Sequence, residues 1–182
     1  MAKSRIQAIT VAGAILLPLL AGPAQAQGPV VLGDTAACRP GADGTAALIT
    51  VHGFKDRSGQ LRIQNYTGGK EEFLASGKFL RRHDVPMPVM TSIGGTNAPI
   101  GDMTVCLTLP GPGRYVIVAL HDRDSNGKLS VWSDGIGLSN NPKLRLAKPS
   151  PEETLYSFGP GVTPIRIVMN YRRGFSVKPL DR

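Results

Sequence analysis

The chain is read as an all-β protein, an antiparallel β-sandwich of the immunoglobulin-like or transthyretin-like kind, with room for one short helix. Three observations lead there. Several short segments alternate apolar and polar residues at every second position, the period of a strand with one buried face. Glycine and proline are abundant, 22 and 15 residues, and they punctuate those segments. No amphipathic stretch is long enough to build a helical core.

The N-terminus reads as a secretory signal peptide over residues 1–26. Lys3 and Arg5 precede an apolar run from Ile9 to Leu20, broken only by Thr10, Gly13 and Pro18, and Ala24-Gln25-Ala26 supplies the small residues of a cleavage site. The run is short for a membrane span, and no cysteine lies at the expected cut, which argues against a lipid-modified N-terminus. The expectation is a periplasmic or secreted protein of 156 residues without a membrane span, enough for one domain with a single sizeable core.

Residues 27–45 are rich in Gly, Pro and Ala without periodicity, and read as an extended N-terminal arm ordered mainly by Cys38. Residues 46–182 read as the single sandwich domain. Ala47, Ile49 and Val51 alternate with Leu48, Thr50 and His52, a strand. Arg57-Ser58-Gly59 turns the chain into a second strand, Gln60 to Gln64, with Leu61 and Ile63 inward. Phe73, Leu74, Gly77 and Leu80 are spaced for a short helix over Glu71 to Leu80, although Gly77 weakens it. Three prolines and Gly94-Gly95 make Val85 to Ile100 irregular edge structure.

Met103, Val105, Leu107 and Leu109 then alternate with Asp102, Thr104, Cys106 and Thr108. Pro110-Gly111-Pro112-Gly113 joins that strand to Arg114–Leu120, and the pair is expected to form the core hairpin. Arg114–Leu120 is apolar on both faces, which suits the middle of a sheet. A last strand runs from Thr163 to Tyr171, with Ile165, Ile167, Met169 and Tyr171 on one face and Arg166 and Asn170 on the other.

Cys38 and Cys106 are the only cysteines. In an exported chain an even count reads as one disulfide, and a Cys-x-x-Cys redox or metal spacing is absent. The formal charge is +8, or +6 once Lys3 and Arg5 leave with the signal. This surplus favours an acidic envelope or extracellular partner. Nucleic acid is disfavoured, because the basic residues are scattered and lack interleaved aromatics or a helical reading module.

One loop carries distinctive chemistry. After Leu120 the chain reads His121-Asp122-Arg123-Asp124-Ser125-Asn126-Gly127-Lys128, placing oxygen-bearing side chains at Asp122, Asp124 and Asn126 with a glycine behind them. This matches the first half of a calcium loop, with the Lys128 carbonyl in the seventh place and Ser130 in the ninth. Ser133 stands where a bidentate Glu belongs; Asp134 can replace it only if the backbone leaves the helical EF-hand path. Weak calcium binding through Asp122, Asp124, Asn126, Lys128, Ser130 and Asp134 is one expectation. The other is an Asx-rich turn whose side chains satisfy their own backbone.

The order of motifs along the chain resembles a family of exported bacterial proteins, domain of unknown function 2141. The residues that carry the resemblance are Tyr115 to Asp122, Asn126-Gly127-Lys128, Gly137-Leu138-Ser139-Asn140-Asn141, Pro149-Ser150-Pro151-Glu152-Glu153 and the closing strand Ile165 to Tyr171. Ser130, Leu138 and Pro151 depart from the family pattern, and the first departure weakens the metal reading. The resemblance implies export and a β-sandwich, and assigns no activity.

Catalytic signatures are missing. Ser139 lies in Gly-Leu-Ser-Asn-Asn and not in a nucleophile elbow, and His121 and Asp122, adjacent on a strand, face opposite ways and cannot form a dyad. His52, His83 and His121 are too widely spaced for a zinc or copper pattern, and Cys106 lacks the nearby His and Met of a blue-copper site. The reading is therefore an exported non-catalytic module with an envelope partner. Alternatives are a purely structural accessory domain without metal, and an exported enzyme whose site is too dispersed to recognise.

Overall fold

The computed structural model describes residues 30–87 and 101–180. The expected signal peptide, residues 27–29 of the expected arm and most of the 85–100 segment lie outside the described residues. The strands are β1 (Val31–Gly33), β2 (Thr45–His52), β3 (Gln60–Tyr66), β4 (Arg81–Pro86), β5 (Met103–Leu109), β6 (Gly113–Asp122), β7 (Gly135–Leu138), β8 (Tyr156–Phe158), β9 (Gly161–Val168), β10 (Asn170–Arg173) and β11 (Ser176–Pro179). One helical turn, α1 (Pro151–Thr154), precedes β8.

They form a sandwich of a four-stranded sheet, β1-β5-β2-β9, and a larger sheet, β11-β10-β7-β6-β3-β4, to which β8 adds by pairing with β6. Most pairings are antiparallel; β1 with β5 and β2 with β9 are parallel. The core follows the alternation in the sequence. Ala47, Ile49 and Val51 of β2, Leu61 and Ile63 of β3, Val105 and Leu107 of β5, and Ile117 and Ala119 of β6 are all fully buried in one cluster between the sheets. Each valine, leucine or isoleucine buried there stabilises the fold by roughly 1.5–3 kcal/mol.

Strand β6 is central, flanked by β3 and β7, and its other face is buried as well. Val116 and Val118 meet Tyr66, Phe73, Leu138 and Leu144 in a second, smaller cluster on the outside of the larger sheet. The turns that follow β3 and β7 supply Phe73 and Leu144 and roof this cluster over.

Five local expectations change. The expected helix over Glu71 to Leu80 is a single turn, with Phe73 N–H on the Gly69 carbonyl at 2.9 Å, after which Leu74 and Gly77 take positive φ and end it. The short helix lies instead at Pro151–Thr154, where Ser150 and Glu153 form a capping box. The expected hairpin across Pro110-Gly111-Pro112 is a crossing between sheets, because β5 pairs with β1 and β2 whereas β6 pairs with β3, β7 and β8.

The expected final strand is likewise divided. Met169 N–H bonds the His52 carbonyl at 2.8 Å, and there the chain leaves β2 for β7, so β9 and β10 lie in different sheets. Inward alternation survives the transfer, since Ile165, Ile167, Met169 and Tyr171 all join the main core. Asn170, expected on the polar face, is buried and bonds the Val168 carbonyl at 3.0 Å.

The arm also differs from a disulfide-pinned coil. Cys38 and Cys106 are bonded, but β1 adds to β5, Asp34 N–H bonds the Cys106 carbonyl at 2.9 Å, and the Asp34 carboxylate accepts from Thr108 N–H at 2.9 Å. The crosslink spans 68 residues, a loop whose closure is worth about 4 kcal/mol in the chain-entropy account. Replacing both cysteines by alanine should lower the urea-unfolding free energy by about 3–4 kcal/mol. A loss below about 1 kcal/mol would mean that the backbone pairing of β1 holds the arm unaided.

Candidate functional site

β6 ends at Asp122 and β7 begins at Gly135, so residues 123–134 are the loop of one antiparallel hairpin. Its base is a row across three strands. Gly135 is opposite His121 on β6 and opposite Tyr171 on β10. Having no side chain, it lets the Tyr171 ring lie across it: a Cβ there would stand 2.4 Å from Tyr171 Cε1 and 2.9 Å from its hydroxyl. The hydroxyl thereby reaches His121 Nδ1 at 2.7 Å.

The protons on this row are fixed by the partners. His121 Nε2 is 2.9 Å from the Ser58 carbonyl, which can only accept, so Nε2 carries the hydrogen. Nδ1 then accepts from Tyr171, and the Tyr171 oxygen accepts from Lys55 N–H at 3.0 Å. Neutral His121 is fully satisfied, fully buried, and packed edge-on against Phe54. Burial, the largest influence, pushes its pKa below the ordinary value, although the Ser58 bond and the Asp56 carboxylate, 3.8 Å away, pull the other way.

Above this base lie the loop oxygens. Asp122, fully buried, accepts from Gln60 Nε2 and Gly127 N–H at 2.9 Å each and from Asn126 N–H at 3.1 Å. Burial favours the protonated acid, but these bonds outweigh it and hold the Asp122 carboxyl below its ordinary pKa. Asp124, exposed, accepts from Asn126 Nδ2 at 2.7 Å, and Asn126 Oδ1 accepts from Lys128 N–H at 2.8 Å. Asp134, nearly buried, closes the loop from the far end, accepting from Ser130 N–H at 2.8 Å and Arg123 N–H at 3.1 Å.

Asp122, Asp124 and Asp134 each present one oxygen within 4.8 Å of the others. A cation with oxygens at 2.3–2.6 Å fits that spread. Asp134 thus converges with the other two carboxylates from the thirteenth place of the loop. Asn126, Lys128 and Ser130 are tied to the same loop by Asx-type bonds, with the N–H groups of Lys128 and Ser130 as donors.

Several residues that organise the loop had no signal in the sequence. Arg62, almost wholly buried on the outer face of β3, donates to Asp84 and to the Gly127 carbonyl at 2.6 Å each, and its Nη2 lies 3.7 Å from Asp122. Arg123 reaches back over the hairpin to Asp56 through Nε, at 3.0 and 3.1 Å, and through Nη2. Burial works against ionised Asp56, but the bonds from Arg123 and Ser58 prevail and its pKa is lowered. The other histidines are apart from this site: His52 faces Asp102 at 2.5 Å and His83 faces Asp34 at 3.0 Å.

The network thus joins the His-Asp end of one strand, the Asn-Gly-Lys turn and the closing Tyr, motifs far apart in the chain. A family model described as an uncharacterised protein conserved in bacteria, DUF2141, matches residues 49–166. The chain belongs to the DUF2141 family. The matched span runs from the second half of β2 through most of β9, including the whole 122–134 loop; Tyr171 lies just past it. No curated protein and no solved structure matches the DUF2141 chain.

Two outcomes follow from the His121 row. Because its folded pKa lies below 6.5, the unfolded chain takes up a proton below that pH that the folded chain refuses. Stability contributed by neutral His121 is complete above about pH 6.5 and should fall, by at most about 1.4 kcal/mol per pH unit, until the depressed folded value is reached. Urea unfolding in EDTA at pH 7, 6 and 5 should show this slope, and His121→Asn should lack it; equal slopes would remove His121 as the cause.

Gly135→Ala should cost more than Tyr171→Phe. The first displaces the ring, at about 1–3 kcal/mol of overpacking plus the lost bonds, whereas the second removes only the hydroxyl, at about 1–3 kcal/mol. Thermal melts of the two variants check the order. A harmless Gly135→Ala would show that Tyr171 does not need the empty place.

Proposed function

We propose that this DUF2141 chain is an exported, non-catalytic β-sandwich module that binds an envelope partner and takes calcium weakly in its 122–134 loop. The observation that supports the calcium reading is the convergence of Asp122, Asp124 and Asp134, two of them shielded from solvent, at a spread that one hard cation spans. Calcium would replace weak Asx bonds with carboxylate contacts and tie the two ends of the loop together. The Arg62 guanidinium near Asp122 and the Arg123 N–H on Asp134 already offset part of the negative charge of these oxygens, which favours an affinity of about 10⁻⁴ to 10⁻³ M, the range of extracellular modules. Export rests on the Lys3 to Ala26 leader and fits a disulfide between Cys38 and Cys106.

A second reading, a structural loop that needs no ion, is favoured by one specific observation. Every one of the three carboxylates already accepts a backbone N–H. The two readings differ in what added calcium does to stability.

Thermal unfolding in EDTA and in about 10 mM calcium separates them. At 10 to 100 times the dissociation constant, binding adds about 1.4–2.7 kcal/mol, which is roughly 3–10 °C for a chain of this size. We expect that shift in the parent protein and its loss in Asp134→Asn and Asp124→Ala. No shift in the parent chain would sink the calcium reading and leave the self-closed loop. The export component is checked separately, by the N-terminal mass of the protein recovered from the periplasm and medium: a chain starting at Gln27 agrees, and an unprocessed cytoplasmic chain does not.

A further inference from the structure

The outer face of the larger sheet is roofed only in part. Beside the Leu138 and Leu144 cluster, a cavity of about 260 Å³ opens between the loop ahead of β7 and the 142–149 segment. Its wall is mainly apolar, with Leu74, Leu129, Val131, Ile136, Leu146 and Val177 among the lining residues. The cavity shares Leu144, Arg145, Leu146 and Val177 with an open groove of about 730 Å³ that runs along the β10–β11 hairpin to Phe175. Leu129, Val131 and Leu146 are each about half exposed and Phe175 is 95% exposed, so this apolar surface faces solvent as it stands.

The charged residues of the rim are basic except for Asp134. Lys143, Arg145, Lys148, Arg172 and Lys178 line the cavity and the groove. None of them belongs to an ion pair among the described residues. Lys148 leans on the Phe73 ring and Arg172 stacks on Trp132, 3.3 Å from its centre. Among the described residues, the lining Asp134 is committed to the backbone of its own loop, and Glu153 to the cap of α1. A long apolar trough with unpaired cations on its edge is complementary to a molecule with an apolar chain and an anionic head.

We propose that this groove binds a single-chain anionic amphiphile, the acyl chain lying between Leu129 and Leu146 and the head meeting Arg145 and Lys148. The inference is independent of calcium in the 122–134 loop, and its test is run in EDTA so that failure of one leaves the other standing. Volume supports it as well, because the groove alone, at about 730 Å³, falls in the range of ordinary ligand sites, roughly 300–1,000 Å³.

The test uses the protein purified as the expressing cell processes it. Dodecanoate is titrated below its micelle concentration, following Trp132 emission and, in parallel, bound ligand by equilibrium dialysis. Trp132 is the only tryptophan and lies under Arg172 at the cavity edge. We expect one saturable site. Butanoate, which lacks the chain, and dodecyl maltoside, which lacks the charge, should each bind at least tenfold more weakly. Arg145→Glu combined with Lys148→Glu, and separately Leu146→Asp, should each weaken dodecanoate at least tenfold; these side chains are exposed, and an unchanged melting temperature confirms that the variants are folded.

Several results would overturn the proposal. One is dialysis without saturable dodecanoate. Equal binding of dodecyl maltoside would remove the role of the basic rim. Co-sedimentation with phosphatidylglycerol vesicles in the absence of a dodecanoate site would make this face a membrane-docking surface instead. Undiminished binding by both sets of variants would place the amphiphile elsewhere.

Discussion

The hydrogen bond from Tyr171 to His121, passing over Gly135, holds the 122–134 hairpin to the body of the protein. Three strands and one turn meet there, because His121 is on β6, Gly135 opens β7, Tyr171 is on β10, and Ser58 and Lys55 belong to the turn before β3. The bond is made inside the apolar cluster, where a buried donor or acceptor left without a partner costs about 1–3 kcal/mol. Each group in the row is thus placed by its neighbours, and the loop above inherits a rigid base. Asp122 follows His121 directly and Asp134 precedes Gly135, so fixing the row fixes both mouths of the loop.

Strand β6 explains why one hairpin serves two surfaces. Its inward residues Ile117 and Ala119 complete the sandwich core, while Val116 and Val118 look outward and need a second cover. The segments after β3 and β7 supply that cover with Phe73 and Leu144, but four-residue strands and short turns cannot roof a whole sheet. The uncovered remainder is the groove beside Leu146. An apolar strand in the middle of a sheet, together with a roof too small for it, is sufficient cause for the exposed apolar surface.

How much of this was legible in the sequence depends on the range of the interactions. Period-2 alternation placed β2, β3, β5 and the two-faced β6 correctly, because burial on one face writes itself into every second residue. It did not reveal which strand joins which sheet. The Pro-Gly run after Leu109 suits a hairpin and a crossing equally, and only the pairing of β5 with β2 decides between them. The break at Met169 left no mark for the same reason: inward alternation runs through it unchanged while the hydrogen-bond partners switch. Short strands such as β7, with two glycines in four residues, carry too little pattern to detect. At the site, the Asp-x-Asp-x-Asn-Gly spacing announced the loop and Asp134 was a named substitute ligand. Arg62 and Tyr171 were invisible as loop partners, because their roles depend on a cross-strand register and on an empty position at Gly135.

The loop's chemistry follows from where the hairpin opens. Asp122 is the last residue of one strand and Asp134 the last before the next, so their side chains are brought near each other by closure of the hairpin itself, before any ligand is considered. Two carboxylates held close repel unless something positive stands between or around them. The chain meets that requirement with N–H dipoles from Arg123, Asn126, Gly127 and Ser130 and with the Arg62 guanidinium. A cation entering this site would compete with donors already in place, and would gain only the difference between its own attraction and theirs. On the calcium reading proposed above, the ion would therefore be held weakly, because it would have to displace these donors from the carboxylates.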